Sequence, residues 1–318
     1  MRSRVLIGVA VILAGCRKTP TGPSNKPTSG FVAKASLPAA RNSMIATSLN
    51  GLIYVAGGAN GYPNFYSSVL TYNPLTNVWA GLASAPTART WTSTNDVVVN
   101  STLYAIAGNP VGVCTTIVEA YDIGANSWTT KASAPRERCG AAAVVYNGKA
   151  WVFGGTNTSS SLHYLEMDVY DPASNSWTTP ASMFDWRSGV GAVVLNGNLY
   201  IIGGGTLPAG DCTNTLLSYN FAANTWAVLS PMTTKRCAPG AAVYNGRIYA
   251  IGGFDNVTTT YHSSVESYDP STNSWRAEPS MTAARAFPGV ALVGNTIYVI
   301  GGSNASTTIA TVEALAIQ

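Results

Sequence analysis

Short apolar runs separated by turn clusters make up most of the chain, and they recur in one fixed order. Each unit opens on small and apolar residues, such as Cys139-Gly140-Ala141-Ala142-Ala143-Val144-Val145-Tyr146, which predict a buried inner strand. An Asn-Gly pair follows at Asn50-Gly51, Asn147-Gly148, Asn196-Gly197 and Asn245-Gly246. Asn-Gly between two apolar runs predicts a tight hairpin, because both central residues must take positive φ. The second run ends in glycines, as in Tyr200-Ile201-Ile202-Gly203-Gly204. There the missing Cβ lets the chain bend and a neighbour lie against bare backbone. A variable loop of roughly ten residues comes next. A third run such as Val265-Glu266-Ser267-Tyr268, a tight turn, and a fourth run opening at a tryptophan complete the unit. Each unit is thus predicted to be one four-stranded antiparallel sheet.

Two landmarks fix the period. Trp79, Trp128, Trp177, Trp226 and Trp275 are each 49 residues apart, and Arg41, Arg89, Arg138, Arg187, Arg236 and Arg285 are spaced by 48, 49, 49, 49 and 49. A constant period of this size marks a repeat architecture. Arginine, Gly-Gly, tyrosine and tryptophan in this order resemble the kelch repeat, over residues 31–318. The resemblance implies an all-β, six-bladed β-propeller of four-stranded blades around a channel. The sixth unit stops after its third strand, and Phe31 stands as far before Arg41 as Trp79 stands before Arg89. Residues 31–36 are therefore expected to supply the outer strand of the sixth blade and close the ring, leaving no unpaired junction.

Composition adds a compartment. With 46% hydrophobic and 10% charged residues the body reads as globular. Arg2 and Arg4 precede an eight-residue apolar run, residues 5–12, too short to span a bilayer as a helix. Leu13-Ala14-Gly15-Cys16 follows, a signal-peptide pattern whose end resembles a bacterial lipobox. The resemblance implies cleavage before Cys16, acylation of its thiol, and a lipid-anchored place in the bacterial cell envelope. That place would be the outer membrane or cell surface where the cell has an outer membrane. An ordinary secretory signal with an incidental cysteine is the competing reading. The expected division is a signal peptide at 1–15, a lipidated cysteine with a flexible tether at 16–30, and the propeller at 31–318. The net charge of +4 misleads, since five basic residues precede the body, whose 13 cations face 14 acids. Nothing here points to nucleic acid.

Four cysteines remain, Cys114, Cys139, Cys212 and Cys237. Both Cys114 to Cys139 and Cys212 to Cys237 span 25 residues, and the second pair lies two repeats after the first. Three pairings are open. The pairs 114–139 and 212–237 are favoured, as each would join neighbouring blades on one face; four free thiols are the competing reading. The six arginines are expected on that same face, either binding an acidic ligand or capping carbonyls and pairing with acids such as Glu137 and Asp185. Trp91, Trp186 and Phe287 join them as candidate binding residues, as aromatics beside polar groups suit a sugar or peptide surface. His163 and His262 are read as a repeated structural position two blades apart. No metal, cofactor, catalytic nucleophile or dinucleotide-binding motif is indicated.

The leading expectation is a monomeric, non-catalytic module that binds a protein or glycan on the arginine-bearing face. Two alternatives stay open. One is a periplasmic sugar mutarotase or epimerase acting on an acidic sugar such as sialic acid. The other is a purely structural envelope protein.

Overall fold

The structure, a computed structural model, describes residues 30–90, 97–159, 162–207 and 209–317. The signal peptide, Cys16, the tether up to residue 29, and Trp91 lie outside the described residues. Six four-stranded antiparallel sheets form the blades of a ring. Five follow in sequence, at residues 45–82, 98–130, 142–182, 191–229 and 240–278. The sixth combines Gly289–Val293, Thr296–Ile300 and Val312–Ala316 with Val32–Lys34. Val32 pairs with Ala314, Ala33 with Glu313 and Lys34 with Val312, so the first strand of the body completes the last blade.

The inner hairpins turn as their sequence demands. Asn50 and Gly51 take φ of 52° and 77°, Asn245 and Gly246 of 46° and 73°. The second blade builds the turn from Asn100 and Ser101, at 49° and 61°. Along the inner strands, small residues let the blades converge on the axis. They line a channel of about 340 Å³ walled by residues such as Val144, Val193, Ala241 and Val290. Each seam between blades carries an apolar cluster. The one at the closure holds Ile53, Val55 and Tyr72 against Tyr298, Ile300 and Val312.

The tryptophans clasp the seams from outside. Each indole N–H donates to a carbonyl at or just past the end of the outer strand of the preceding blade: Trp128 to Ala83 at 3.0 Å, Trp177 to Ala132 at 2.9 Å, Trp226 to Ser182 at 2.9 Å, Trp275 to Ser230 at 2.7 Å. The asparagine two residues before the tryptophan, held at positive φ, works beside it. Asn126, Asn175 and Asn273 accept the amide of that same residue, at 2.8, 2.9 and 3.0 Å. Each also accepts the hydroxyl of a buried tyrosine of its own blade, at 2.6–2.8 Å. The first such pair, Asn77 and Trp79, grips Ala35, both at 2.8 Å. The clasp of the first blade thus holds the strand that closes the sixth. Phe31 packs at the seam between the fifth and sixth blades, beside a cluster that includes Tyr249 and Val299. It fills the space but has no indole N–H to donate.

A second clasp circles the inside. The second glycine position of every blade donates its N–H to the carbonyl of the next blade's ring arginine. The six bonds, Gly58 to Arg89, Gly108 to Arg138, Gly155 to Arg187, Gly204 to Arg236, Gly253 to Arg285 and Gly302 to Arg41, span 2.7–3.0 Å and return to their start. In the third to sixth blades a Cβ on the first glycine has no room, while the second blade holds Ala107 there. On Gly203 it would meet the Arg236 carbonyl at 2.2 Å, and on Gly301 that of Arg41 at 2.3 Å.

Candidate functional site: the disulfide-bearing face

The loops after each second strand and those leading into each first strand emerge on one face. Cys114–Cys139 joins the second blade to the third, and Cys212–Cys237 the fourth to the fifth. Both bridges are the ones the spacing favoured. A matching hydrogen bond lies beside each, from Cys114 N–H to Thr158 Oγ1 at 2.9 Å and from Cys212 N–H to Asn256 Oδ1 at 2.8 Å.

The ring arginines are at the expected level but not open to solvent. Each is at most 4% exposed. Arg138 donates to the carbonyls of Gly154 and Glu166 and to Asp168 Oδ2, at 2.6, 2.9 and 2.7 Å. Arg236 reaches the Gly252 and Ser264 carbonyls and Glu266. Arg89 pairs with Glu119 at 2.6 Å, and Arg285 with Glu313. These acids share one third-strand position, and the arginine threads between two strands to reach it. Burial draws Arg89 down to about 10 against the opposing pull of Glu119, and it lowers Arg138, Arg236 and Arg285 too. The expected open cationic ring is therefore a set of internal spokes: a buried guanidinium needs a counter-ion and carbonyls to offset its lost hydration.

Two blades depart from this. Leu70 in the first and Leu217 in the fourth replace the acid. In the fourth, Arg187 turns to Asp185, two residues before it, at 2.6 Å; that carboxylate is 45% exposed. In the first, Arg41 donates to the Gly57 carbonyl at 3.1 Å and lies 4.4 Å from the Tyr66 ring centroid. Glu137, offered in the sequence as another arginine partner, instead accepts from Thr158 at the rim.

The histidines are one residue out of phase, since 99 is one more than two repeats. Tyr164 and His262 make the equivalent bond, their N–H groups donating to Gly155 and Gly253. Successive residues of an extended chain point to opposite sides. His163 accordingly packs edge-on against Trp186, with ring centroids 4.6 Å apart. His262 turns inward, where its Nε2 is buried without a hydrogen bond. Burial first, and then Arg236, lower its pKa, which favours the neutral ring. The two are not one repeated position. Among the described residues no group of three or more His, Cys, Asp or Glu is placed to hold a metal.

Over the fourth to sixth blades the face opens into a cavity of about 320 Å³, lined by Trp186, Ser188, Gly189, Ala238, Phe254 and Phe287 among others. Trp186 is fixed by its indole N–H, which donates to the Gly155 carbonyl at 2.8 Å. Phe254 lies 5.7 Å from Phe287 and, on its other side, 5.7 Å from a stacked Tyr261. Two residues beyond five of the ring arginines the backbone is left-handed: Ser43, Gly140, Gly189, Ala238 and Phe287 have φ of 47–70°. Their peptides form a chain around the channel mouth. Ser43 N–H donates to Phe287 O, Phe287 to Ala238, Ala238 to Gly189 and Gly189 to Gly140, at 2.7–3.3 Å. A bulky aromatic at φ of 54° is a strained choice where glycine would serve, and the Phe287 ring is what the cavity gains. Trp186 and Phe287 were legible as candidates. Gly189 and Ala238, which make the space, were not, although two aromatics, Trp91 and Phe287, among small residues at one repeat position were a usable signal.

Comparison with known proteins agrees with this geometry. A family model described as the KLHDC2/KLHL20/DRC7 Kelch-repeats domain matches residues 24–185 and 97–302. Alpha-scruin of Limulus polyphemus is 29% identical over 143 residues, covering 39% of this chain and 14% of scruin. Kelch-like protein 40 of Xenopus tropicalis is 32% identical over 112 residues, 35% of this chain and 18% of the relative. The matched stretch is thus under a fifth of either relative's length. A solved structure, that of YjhT, superposes with a TM-score of 0.74 at 18% identity, covering 88% of this chain and 96% of the other, and shares the fold. With six arginine-anchored, glycine-bent blades and a family match across most of its length, the chain belongs to the kelch-repeat family.

Proposed function

We propose that this propeller is a recognition module that binds a protein segment on its disulfide-bearing face, seating an apolar side chain in the Trp186–Phe254–Phe287 cavity. The carrying observation is Phe287: a left-handed aromatic whose ring walls a cavity built on rigid, stapled backbone. The fold does not need that ring, and a rigid scaffold presenting irregular loops suits recognition. The cavity offers three aromatic walls and few polar groups. This favours an aliphatic or aromatic side chain over a sugar, whose hydroxyls would need several convergent polar partners.

The test is selection of peptides from a random displayed library, followed by affinity measurement on Trp186→Ala and Phe287→Gly. Both variants are expected to lose tenfold or more in affinity, about 1.4 kcal/mol or above. Phe287→Gly should do so without loss of thermal stability, because glycine relieves the strained φ. Selected peptides that bind both variants as tightly as the parent chain would remove the cavity from the mechanism. The mutarotase reading asks for a cation open at the channel mouth. Acceleration of N-acetylneuraminic acid anomerisation, followed by NMR, would replace recognition with catalysis.

We also propose lipid attachment at Cys16, on the lipobox resemblance. The closing strand enters from the end that carries the Asn-Gly turns, opposite the disulfide face. A tether of residues 17–29 could reach about 40 Å when extended, so the disulfide face would point away from the membrane. Labelling with an alkyne fatty acid, lost in Cys16→Ser, is the expected result; equal labelling of the variant would refute it.

A further inference from the structure

The entrance to the fourth blade departs from the repeat at three successive positions. Ahead of the ring arginine the other blades carry proline or threonine, then alanine, threonine or arginine, then alanine, glutamate or lysine; the fourth carries Phe184, Asp185 and Trp186. Trp186 walls the aromatic cavity. Phe184 is 64% exposed, and its neighbour Met183 donates its N–H at 2.6 Å to the carbonyl of Leu165, itself 42% exposed. Apolar side chains exposed together mark an interaction surface. In the second, third, fifth and sixth blades the ring arginine pairs with a third-strand acid whose side chain is 1–7% exposed. The fourth blade has Leu217 at that position, and the counter-ion that buried Arg187 needs comes from Asp185, 45% exposed. An interior acid serves the arginine in four other blades, so the fourth has moved its carboxylate from the interior to the cavity rim. Its Oδ2 takes Arg187 Nη1 at 2.6 Å, and a carboxylate has room for further donors. A second acid, Asp211, is exposed next to the wall residue Gly210. Lys235, exposed two residues before the wall residue Cys237, has Asp255 within electrostatic reach.

We infer that Asp185 selects the ligand: the protein segment whose apolar side chain enters the cavity carries a lysine or arginine close to that anchor, its cation paired with Asp185 and its stem laid on Phe184. This rests on the reading of the cavity as the site of a protein segment. Long basic side chains cover apolar surface with their methylenes while the head keeps a polar partner, and a cation over an aromatic face gains further attraction. An acidic segment would meet Asp185 and Asp211 at the rim, because the Arg187 guanidinium is buried behind them.

The test uses peptides selected on the parent chain from the random displayed library. Among those whose binding is lost in Phe287→Gly, lysine and arginine should stand beside the apolar anchor several-fold more often than in the library, and aspartate and glutamate less often. Asp185→Asn alone strips Arg187 of its counter-ion, so it is combined with Leu217→Glu, which imports the interior acid of the other blades. The double variant should melt with the parent chain and bind a selected lysine peptide at least about fivefold more weakly. The Lys→Gln form of that peptide should bind both proteins alike. A second measurement leaves the protein unchanged: added sodium chloride should weaken the lysine peptide more than its glutamine form. Cavity-dependent peptides without an excess of lysine or arginine overturn the role of Asp185 and leave the cavity reading standing. Equal binding of the lysine peptide to parent and folded double variant, or equal salt dependence of the two peptide forms, overturns it as well. If no selected peptide depends on the cavity, both readings fall.

Discussion

Removing residues 31–36 tests how the ring is closed. The strand they contain pairs at three positions with Val312–Ala316. Ala35 supplies both partners of the first clasp, its N–H to Asn77 and its carbonyl to Trp79, each at 2.8 Å. Phe31 packs at the seam between the fifth and sixth blades. A typical intramolecular hydrogen bond contributes about 1 kcal/mol net. The strand pairing, the clasp and the half-buried ring together then amount to about 5 kcal/mol. At roughly 2 °C per kcal/mol for a domain of this size, the truncated protein should melt about 10 °C lower. Calorimetry would measure this on the shortened chain and on the parent. A synthetic peptide covering residues 30–38, added in excess, should restore part of the loss by binding only the folded ring. The exposed edge of Val312–Ala316 should also promote self-association, visible by light scattering. A melting point within about 2 °C of the parent would refute the closure, because about 1 kcal/mol is too little for the contacts described.

The buried pairs, the staples and one alanine give further expectations. Glu266→Gln leaves Arg236 buried without a counter-ion and should cost about 3 kcal/mol or more by denaturant unfolding, while Arg236→Met with Glu266→Leu should recover most of it. Burial by itself would raise the Glu266 carboxyl, but Arg236 and the Thr233 amide hold it below its ordinary 4.5. Its stabilisation is therefore full above about pH 4.5 and is lost as pH falls through the lower folded value, and Glu266→Gln should flatten that acid limb. Each disulfide closes a 25-residue loop and should contribute about 3 kcal/mol; Cys114→Ser/Cys139→Ser should unfold at correspondingly lower denaturant, and an unchanged midpoint would deny the staple its role. Ala107 holds φ of 54° where other blades have glycine, so Ala107→Gly should stabilise by about 1 kcal/mol; a destabilised variant would show that the alanine methyl is packed, not strained.

The repeat was legible because each of its marks answers a local need. Asn-Gly is required by the hairpin φ angles, glycine by the close approach of the Arg236 and Arg41 carbonyls, and tryptophan by the carbonyl it clasps. Those needs recur in every blade, so the sequence repeats them. The cysteine spacing was legible for the same reason, as phase within the repeat set the face. The roles of the arginines were not. Whether a guanidinium meets a ligand or Glu119 depends on a side chain 30 residues away and on how deeply the two strands bury it. The histidines misled because a one-residue offset is small in sequence and decisive in a strand, where it reverses the side.

From the sequence alone came six blades, their order, the strand that closes them and the face that carries the staples. These follow from local backbone chemistry repeated at a constant interval. Only the tertiary structure decided that the arginines are spokes, that Arg41 lacks an acid, and that Phe287, Gly189 and Ala238 from three blades meet around one cavity. Such features arise where repeats differ and where different blades converge. Burial and pairing there depend on neighbours far along the chain, which no single repeat encodes.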